Sequence, residues 1–111
     1  MRTDDERLLD ILEAINRIYQ FAPADRAAFD SNRLIQNWFV SHMQIIGEAS
    51  QRLSQKLKAA HPEVPWKEIT GMRNILVHHY FDIDLDVVWN IFVHDLPPFK
   101  IQIEAMIKDA P

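Results

Sequence analysis

Apolar residues recur at intervals of three and four along most of the chain, which is the spacing that one face of an α-helix requires. The first such run follows Thr3 and Glu6, whose spacing is that of a capping box, in which two side chains bond backbone N–H groups at a helix start. The pattern predicts a first helix over about residues 4–22, and Pro23 ends it because proline cannot continue the helical hydrogen bonds.

A second and longer run predicts the central helix of the fold. Asp30 and Ser31 are its candidate N-caps, and the pattern continues to about Ala60. At about 1.5 Å per residue, such a helix would be roughly 45 Å long. Gly47 falls in its middle, where glycine costs about 1 kcal/mol relative to alanine, so we expect another helix to cross closely there. The predicted core-facing stripe comprises Ile35, Trp38, His42, Ile45, Ala49 and Leu53.

Three shorter helices complete the prediction. Pro65 suits the first turn of a third helix, and Asp84 can cap a fourth. Pro97 and Pro98 are expected to break the chain before a last helix that begins near Phe99. About five helices with short connections predict an all-α fold, an antiparallel helical bundle in which residues 1–111 form a single domain.

Composition narrows the classes of function. Of the 111 residues, 48% are hydrophobic and 25% charged, which is a globular mixture, and only two are glycine, which disfavours hairpin-rich β folds. The absence of cysteine excludes disulfides and is compatible with the cytoplasmic location that we expect. The charged first residues and short apolar runs predict neither a signal peptide nor a membrane span. A net charge of −4 argues against a general nucleic-acid coat but is compatible with a small positive cleft.

Polar side chains suited to catalysis gather in one segment of the third helix, from Arg73 to Tyr80. Arg73 and Tyr80 nearly eclipse each other on a helical wheel and fall within the apolar arc of this helix. An arginine in such an arc is costly unless it is paired, so a structural ion pair with a carboxylate such as Glu48 is one interpretation. Packing alone explains less well why an Arg, an Asn, two His and a Tyr occur within eight residues.

The spacing of His78 from Arg73 constrains how the two can act together. On a regular helix, side chains five residues apart point about 140° away from each other. Arg73 and His78 can therefore meet within one subunit only if the helix distorts near His78, or they can meet across a twofold interface. Asn74 lies four residues before His78, where a hydrogen bond between the two side chains is possible.

The motif Arg73, four residues, His78, one residue, Tyr80 resembles the signature of the HEPN superfamily, specifically of the HepT-like ribonuclease toxins. Two flanking segments are similar as well: Ile46-Gly47-Glu48-Ala49 resembles the family's second helix, and Pro65-Trp66-Lys67-Glu68-Ile69 resembles its entry into the motif helix. The similarity extends from about residue 34 to residue 99.

This resemblance implies a metal-independent endoribonuclease that needs no cofactor and acts on RNA as a homodimer. Arg73 and His78 would be catalytic: Arg73 would bind the phosphate, and His78 would transfer protons. Asn74 would orient His78, and Tyr80 would contact the substrate. The resemblance also implies a partner, a minimal nucleotidyltransferase antitoxin that silences the toxin by transferring AMP to Tyr80.

Two alternatives remain open from the residues. The chain could be a non-catalytic helical module that binds nucleotide, as the acceptor or regulatory subunit of a nucleotidyltransferase. It could also be a plain helical dimer that serves as an adaptor. RNA cleavage that is abolished when His78 is replaced would distinguish the ribonuclease from both.

Overall fold

The computed structural model describes residues 2–75 and 83–109, and within these ranges every regular element is helical. The elements in chain order are α1 (Asp4–Gln20), α2 (Arg26–Asp30), α3 (Arg33–Gln51), α4 (Gln55–Ala60), α5 (Trp66–Ile75), α6 (Leu85–Asn90), a π-helical turn (Ile91–Asp95) and α7 (Leu96–Asp109). The all-α prediction is confirmed.

Helix α1 begins as its sequence predicts. The Glu6 backbone N–H donates to the Thr3 hydroxyl at 3.2 Å, and the Glu6 carboxylate reaches back to the Thr3 backbone N–H, so the capping box is complete. The helix ends at Gln20, and the N–H of Phe21 closes it by donating to the Ile18 carbonyl. Its buried face packs on α3 and α7.

The start of α3 differs from the prediction. Its N-cap is Asn32 rather than Asp30 or Ser31, and the Asn32 side chain accepts a hydrogen bond from the Ile35 N–H at 3.0 Å. The preceding residues form the short helix α2, which sequence analysis missed. Asp25 caps α2, and the fully buried Phe29 anchors it to the core.

The predicted 45 Å helix is wrong, because α3 ends at Gln51. Ser54 then caps the separate helix α4 by accepting from the Leu57 N–H at 3.1 Å. The backbone N–H and hydroxyl of Ser54 both donate to the carboxylate of Asp4, at 3.0 and 2.6 Å. Ser54 thus caps α4 and also bonds α1, and both contacts favour a break in the helix at this residue. The contact with Asp4 is tertiary, so the local periodicity does not predict it.

The core-facing stripe that the sequence predicts is confirmed in part. Leu53 is buried, and Ile35, Trp38 and Ala49 are partly buried against the core. The apolar positions of α3 cover two adjacent faces, and periodicity alone does not identify the one that the core covers. His42 is buried as predicted, but Ile45 is 45% exposed. The residues of α3 that the fold buries are Gln36, Phe39, His42, Met43, Ile46, Gly47 and Ser50.

The two consecutive prolines do not break the chain, contrary to the prediction. Helix α6, which Asp84 caps as predicted, continues through the π-helical turn directly into α7. In that turn the Leu96 N–H bonds the Ile91 carbonyl five residues back, so the helix is wider just before Pro97 and Pro98. The prolines then occupy the second and third positions of α7, directly after this wider turn.

Candidate functional site

A close helix crossing brings α5 onto α3 at Gly47. A Cβ atom at position 47 would lie 2.6 Å from the backbone nitrogen of Arg73 and 3.2 Å from the Arg73 Cβ. Real Cβ atoms do not approach backbone so closely, so only glycine permits this crossing. The expectation of a close crossing at Gly47 is confirmed, and the residue that crosses there is the arginine of the candidate motif.

The side chain of Arg73, on α5, is fixed by the carboxylate of Glu48, on α3. Its Nη1 donates to Glu48 Oε2 at 3.2 Å, and Arg52 Nε donates to the other oxygen of Glu48 at 3.0 Å. These hydrogen bonds, first from Arg52 and then from Arg73, lower the pKa of Glu48. The predicted ion pair between Arg73 and Glu48 is thus confirmed, and the carboxylate stays ionised at neutral pH.

Arg73 remains accessible despite this pairing, since 35% of its side chain is exposed. It opens into a groove of about 1160 Å³ between α1 and α3. We call this the arginine groove, because, within residues 2–75 and 83–109, its charged lining comprises five arginines (Arg2, Arg7, Arg17, Arg52, Arg73) and three carboxylates (Asp10, Glu13, Glu48). The excess of two positive charges contrasts with the net charge of −4 of the whole chain.

The middle of the arginine groove is less polar. His42 stacks on Trp38 with ring centroids 4.2 Å apart, and its Nδ1 lies 2.7 Å from the Trp38 backbone carbonyl. These contacts fix the buried ring of His42, which agrees with its predicted place in the core-facing stripe. Ile45 and Ala49 continue the apolar lining beside it.

The remaining predicted site residues fall at or beyond the end of α5. Asn74 is exposed on the last turn of that helix. His78 and Tyr80 lie outside the described residues, so their geometry relative to Arg73 and Asn74 stays a prediction. Within the described residues, the candidate site consists of Arg73, its partner Glu48 and the arginine groove.

A second groove lies on the other side of α5, toward α6 and the π-helical turn. It has a volume of about 680 Å³, and its lining includes Gly71. We call it the carboxylate groove, because, among the residues that the structure describes, its charged lining comprises three carboxylates (Glu68, Asp86 and Asp95) and one cation (Lys67). Burial raises the pKa of Asp95, Glu68 raises it further, and His94 lowers it. The two sides of the motif helix therefore carry opposite charge.

Sequence reasoning missed Arg7, Arg17 and Arg52 as residues of the site. The spacing of two of them held a local signal, because Glu13–Arg17 and Glu48–Arg52 are ion pairs four residues apart on one helix. Their assembly into one groove depends on the packing of α1 against α3, which no local pattern specifies.

No three His, Asp or Glu side chains in residues 2–75 and 83–109 come together as a possible metal-binding cluster. Over the same ranges, no helix is both long enough and apolar enough to cross a membrane.

The fold and the arginine groove are those of a small helical protein with a surface suited to phosphate groups. A family model described as "Ribonuclease HepT-like" matches residues 11–106. The chain therefore belongs to the HepT-like ribonuclease family, and its enzyme class is that of the ribonucleases.

Individual relatives agree with the family match. A Methanocaldococcus jannaschii protein named "Putative RNase MJ1380" is 40% identical over 89% of this chain and 92% of its own length. A Thermococcus cleftensis protein named "Probable ribonuclease HepT" is 34% identical over 96% of this chain and 98% of its own length. No solved structure matches the chain.

Proposed function

We propose that this chain is a metal-independent endoribonuclease that cleaves cytoplasmic RNA as the toxin of a toxin–antitoxin pair. The observation that carries the proposal is the position of Arg73 in a member of the HepT-like ribonuclease family. Its guanidinium is fixed at the α3–α5 crossing and opens into the arginine groove. A guanidinium in that position is suited to bind a phosphodiester and to stabilise the charge that develops on its oxygens during cleavage.

Proton transfer is assigned to His78, since imidazole titrates near neutral pH. One imidazole would take the proton from the ribose 2′-hydroxyl as that oxygen attacks the phosphorus. A second would give a proton to the 5′-oxygen as the P–O5′ bond breaks. The products would be a 2′,3′-cyclic phosphate and a free 5′-hydroxyl, and no metal ion is needed.

Replacement of His78 tests the mechanism. His78→Ala should lower the rate of RNA cleavage by about 10²–10⁴-fold, which is the usual contribution of a general acid or base. Cleavage by the parent protein should persist in EDTA. The neighbouring imidazole provides a matched control, since His79→Ala should leave the rate nearly unchanged. A cleavage activity that requires added metal and survives His78→Ala would contradict the mechanism.

A homodimer would supply the two imidazoles, because each chain carries one His78. The exposed side of α3 supports this part of the proposal, since it carries the apolar Leu34 (82% exposed) and Ile45 (45% exposed), of which Ile45 lines the arginine groove. Mixing Arg73→Ala chains with His78→Ala chains should restore part of the activity if each site uses both subunits. Full activity in a species that sediments as a monomer would contradict the dimer.

Control by AMP transfer rests on the resemblance of the motif around Tyr80. An AMP group on that tyrosine would bring a phosphate within reach of Arg73 and would repel incoming RNA. After co-expression with a cognate nucleotidyltransferase antitoxin, the intact mass should rise by about 329 Da per AMP, as the composition of the group requires. Tyr80→Phe should escape modification and remain toxic. A Tyr80→Phe protein that still gains the mass would refute the assignment.

A further inference from the structure

The positive charge of the arginine groove is unevenly distributed along its length. Arg2 forms a two-point hydrogen bond with Asp10, at 2.7 and 2.6 Å. Arg17 pairs with Glu13 at 3.0 Å. Each of these arginines therefore has a carboxylate of its own, and these two pairs contribute no net charge to the groove.

The excess is found at the end of the groove where Arg73 lies. The single carboxylate Glu48 serves both Arg52 and Arg73, one on each oxygen. The guanidinium of Arg7 donates to the backbone carbonyl of Arg52, at the C-terminal end of α3. At this end the described lining therefore holds three guanidinium groups and one carboxylate, Glu48, which bonds two of them, and both surplus charges of the groove belong to this cluster.

Local structure accounts for each contact but not for the accumulation of charge. Arg7 satisfies a carbonyl at the end of α3, and Arg52 with Glu48 is an ordinary pair one helical turn apart. Neither the bond of Arg7 to the carbonyl nor the pair between Arg52 and Glu48 requires the guanidinium of Arg73 at the same end of the groove. Like charges that lie near each other also repel. A polyanion in the groove would relieve that repulsion.

We propose that Arg7 and Arg52 bind the RNA phosphates next to the one that Arg73 contacts, so that the substrate strand lies along the arginine groove. The inference rests on the proposed ribonuclease function and adds the path of the substrate. Arginine is suited to this role because its planar fork donates two parallel hydrogen bonds to phosphate oxygens. Phosphate contacts carry no base information, so binding here is independent of sequence.

The salt dependence of RNA binding tests the proposal without any need for cleavage. The ligand is a single strand with 2′-O-methyl groups, which cannot form a cyclic phosphate. For a single strand, the slope of log affinity against log salt should change by about 0.7 for each phosphate group that the protein no longer neutralises. Arg7→Gln and Arg52→Gln should each lower the slope by that amount and weaken binding about tenfold at low salt, equally for unrelated sequences.

Two control variants separate a phosphate-binding role from a general effect of charge or structure. Arg33→Gln removes an exposed arginine at the start of α3, outside the groove, and should leave the slope unchanged. Arg7→Lys keeps the charge and should retain the slope of the parent. If Arg33→Gln lowers the slope as much as Arg52→Gln does, the cluster is not a specific site and the proposal is overturned.

Cleavage and sedimentation distinguish this inference from the function on which it rests. Arg7→Gln should raise KM for long RNA by a larger factor than it lowers kcat, because Arg7 bonds a backbone carbonyl rather than the carboxylate that fixes Arg73. An unchanged salt slope in a protein whose cleavage depends on His78 overturns the inference alone. A lowered slope in a protein that cleaves nothing leaves the inference standing and refutes the ribonuclease proposal. If Arg52→Gln instead converts a dimer into a monomer, the cluster belongs to the subunit interface and the inference fails.

Discussion

The two sides of α5 differ in packing and in charge, although a glycine lies on each side: Gly47 of α3 on one, and Gly71 of α5 itself on the other. On the side of α3, Gly47 lets the backbone at Arg73 approach to a distance that no other residue allows. On the side of α6, a Cβ atom added to Gly71 would meet nothing within 4 Å. The first side opens into the arginine groove and the second into the carboxylate groove. A polyanion would be attracted by the first groove and repelled by the second. Arg73 therefore opens into the groove whose charge favours the binding of a polyanion.

Of the substitutions that test this contrast, Gly47→Ala should have the largest effect on stability and on cleavage. The new methyl group would lie 2.6 Å from a backbone nitrogen, so relief requires α5 to move as a whole. Overpacking of this kind costs about 1–3 kcal/mol, which outweighs the gain of about 1 kcal/mol in helix propensity over much of that range. Urea denaturation should show a lower midpoint, and RNA cleavage should fall because Arg73 is displaced. A midpoint equal to or above that of the parent would mean that the crossing is looser than the structure has it.

Gly71→Ala is the matched substitution on the other side and should act in the opposite direction. Alanine is favoured over glycine in a helix by about 0.5–1 kcal/mol, and no atom opposes the added methyl group here. The denaturation midpoint should rise, and cleavage should be unchanged. Weaker cleavage with a normal midpoint would show that the carboxylate groove takes part in function, which would break the contrast between the two sides.

Sequence reasoning succeeded where a local cost pointed to a specific partner. A glycine in the middle of a helix and an arginine in an apolar arc are both unfavourable by themselves, and each therefore predicted a contact. The structure joins the two expectations, since Gly47 and Arg73 meet each other and Glu48 pairs with the arginine. The capping box at Thr3 and the cap at Asp84 were predictable for the same reason, because a helix start leaves N–H groups that need a partner.

Sequence reasoning failed where tertiary contacts decided between equally good local choices. The end of α3 depends on the bond between Ser54 and Asp4, which are fifty residues apart. The buried face of α3 depends on which of its two apolar faces α1 and α5 cover. The arginine groove combines residues of separate helices. The sequence of this acidic chain was compatible with a positive surface, but it did not indicate where that surface lies.

Asp95→Asn should give the smallest effect, and it tests whether the carboxylate groove is electrostatically unfavourable. Partial burial raises the pKa of Asp95 above its ordinary value of 3.8, and the nearby Glu68 adds to the shift while His94 opposes it. The folded protein therefore binds more protons than the unfolded chain in the window just above pH 3.8, and stability falls as the pH rises through that window. At pH 7 the charge of Asp95 is unfavourable for folding. Removal of the charge should raise the free energy of unfolding at pH 7 by about a few tenths of a kcal/mol, since solvent screens much of the interaction.

The pH dependence of the difference and a second variant make this prediction specific. The gain from Asp95→Asn should shrink as the pH approaches 3.8, because the parent carboxyl is then protonated as well. Asp86→Asn makes the same change in the same groove, but Asp86 pairs with Arg26 at 2.6 Å, so its removal should bring no gain at pH 7. Thermal unfolding of the three proteins at pH 4 and pH 7 measures both effects. Equal stabilisation by the two variants would mean that the total charge of the groove is what matters, and a lower stability of Asp95→Asn at pH 7 would mean that the carboxylate of Asp95 makes a favourable contact.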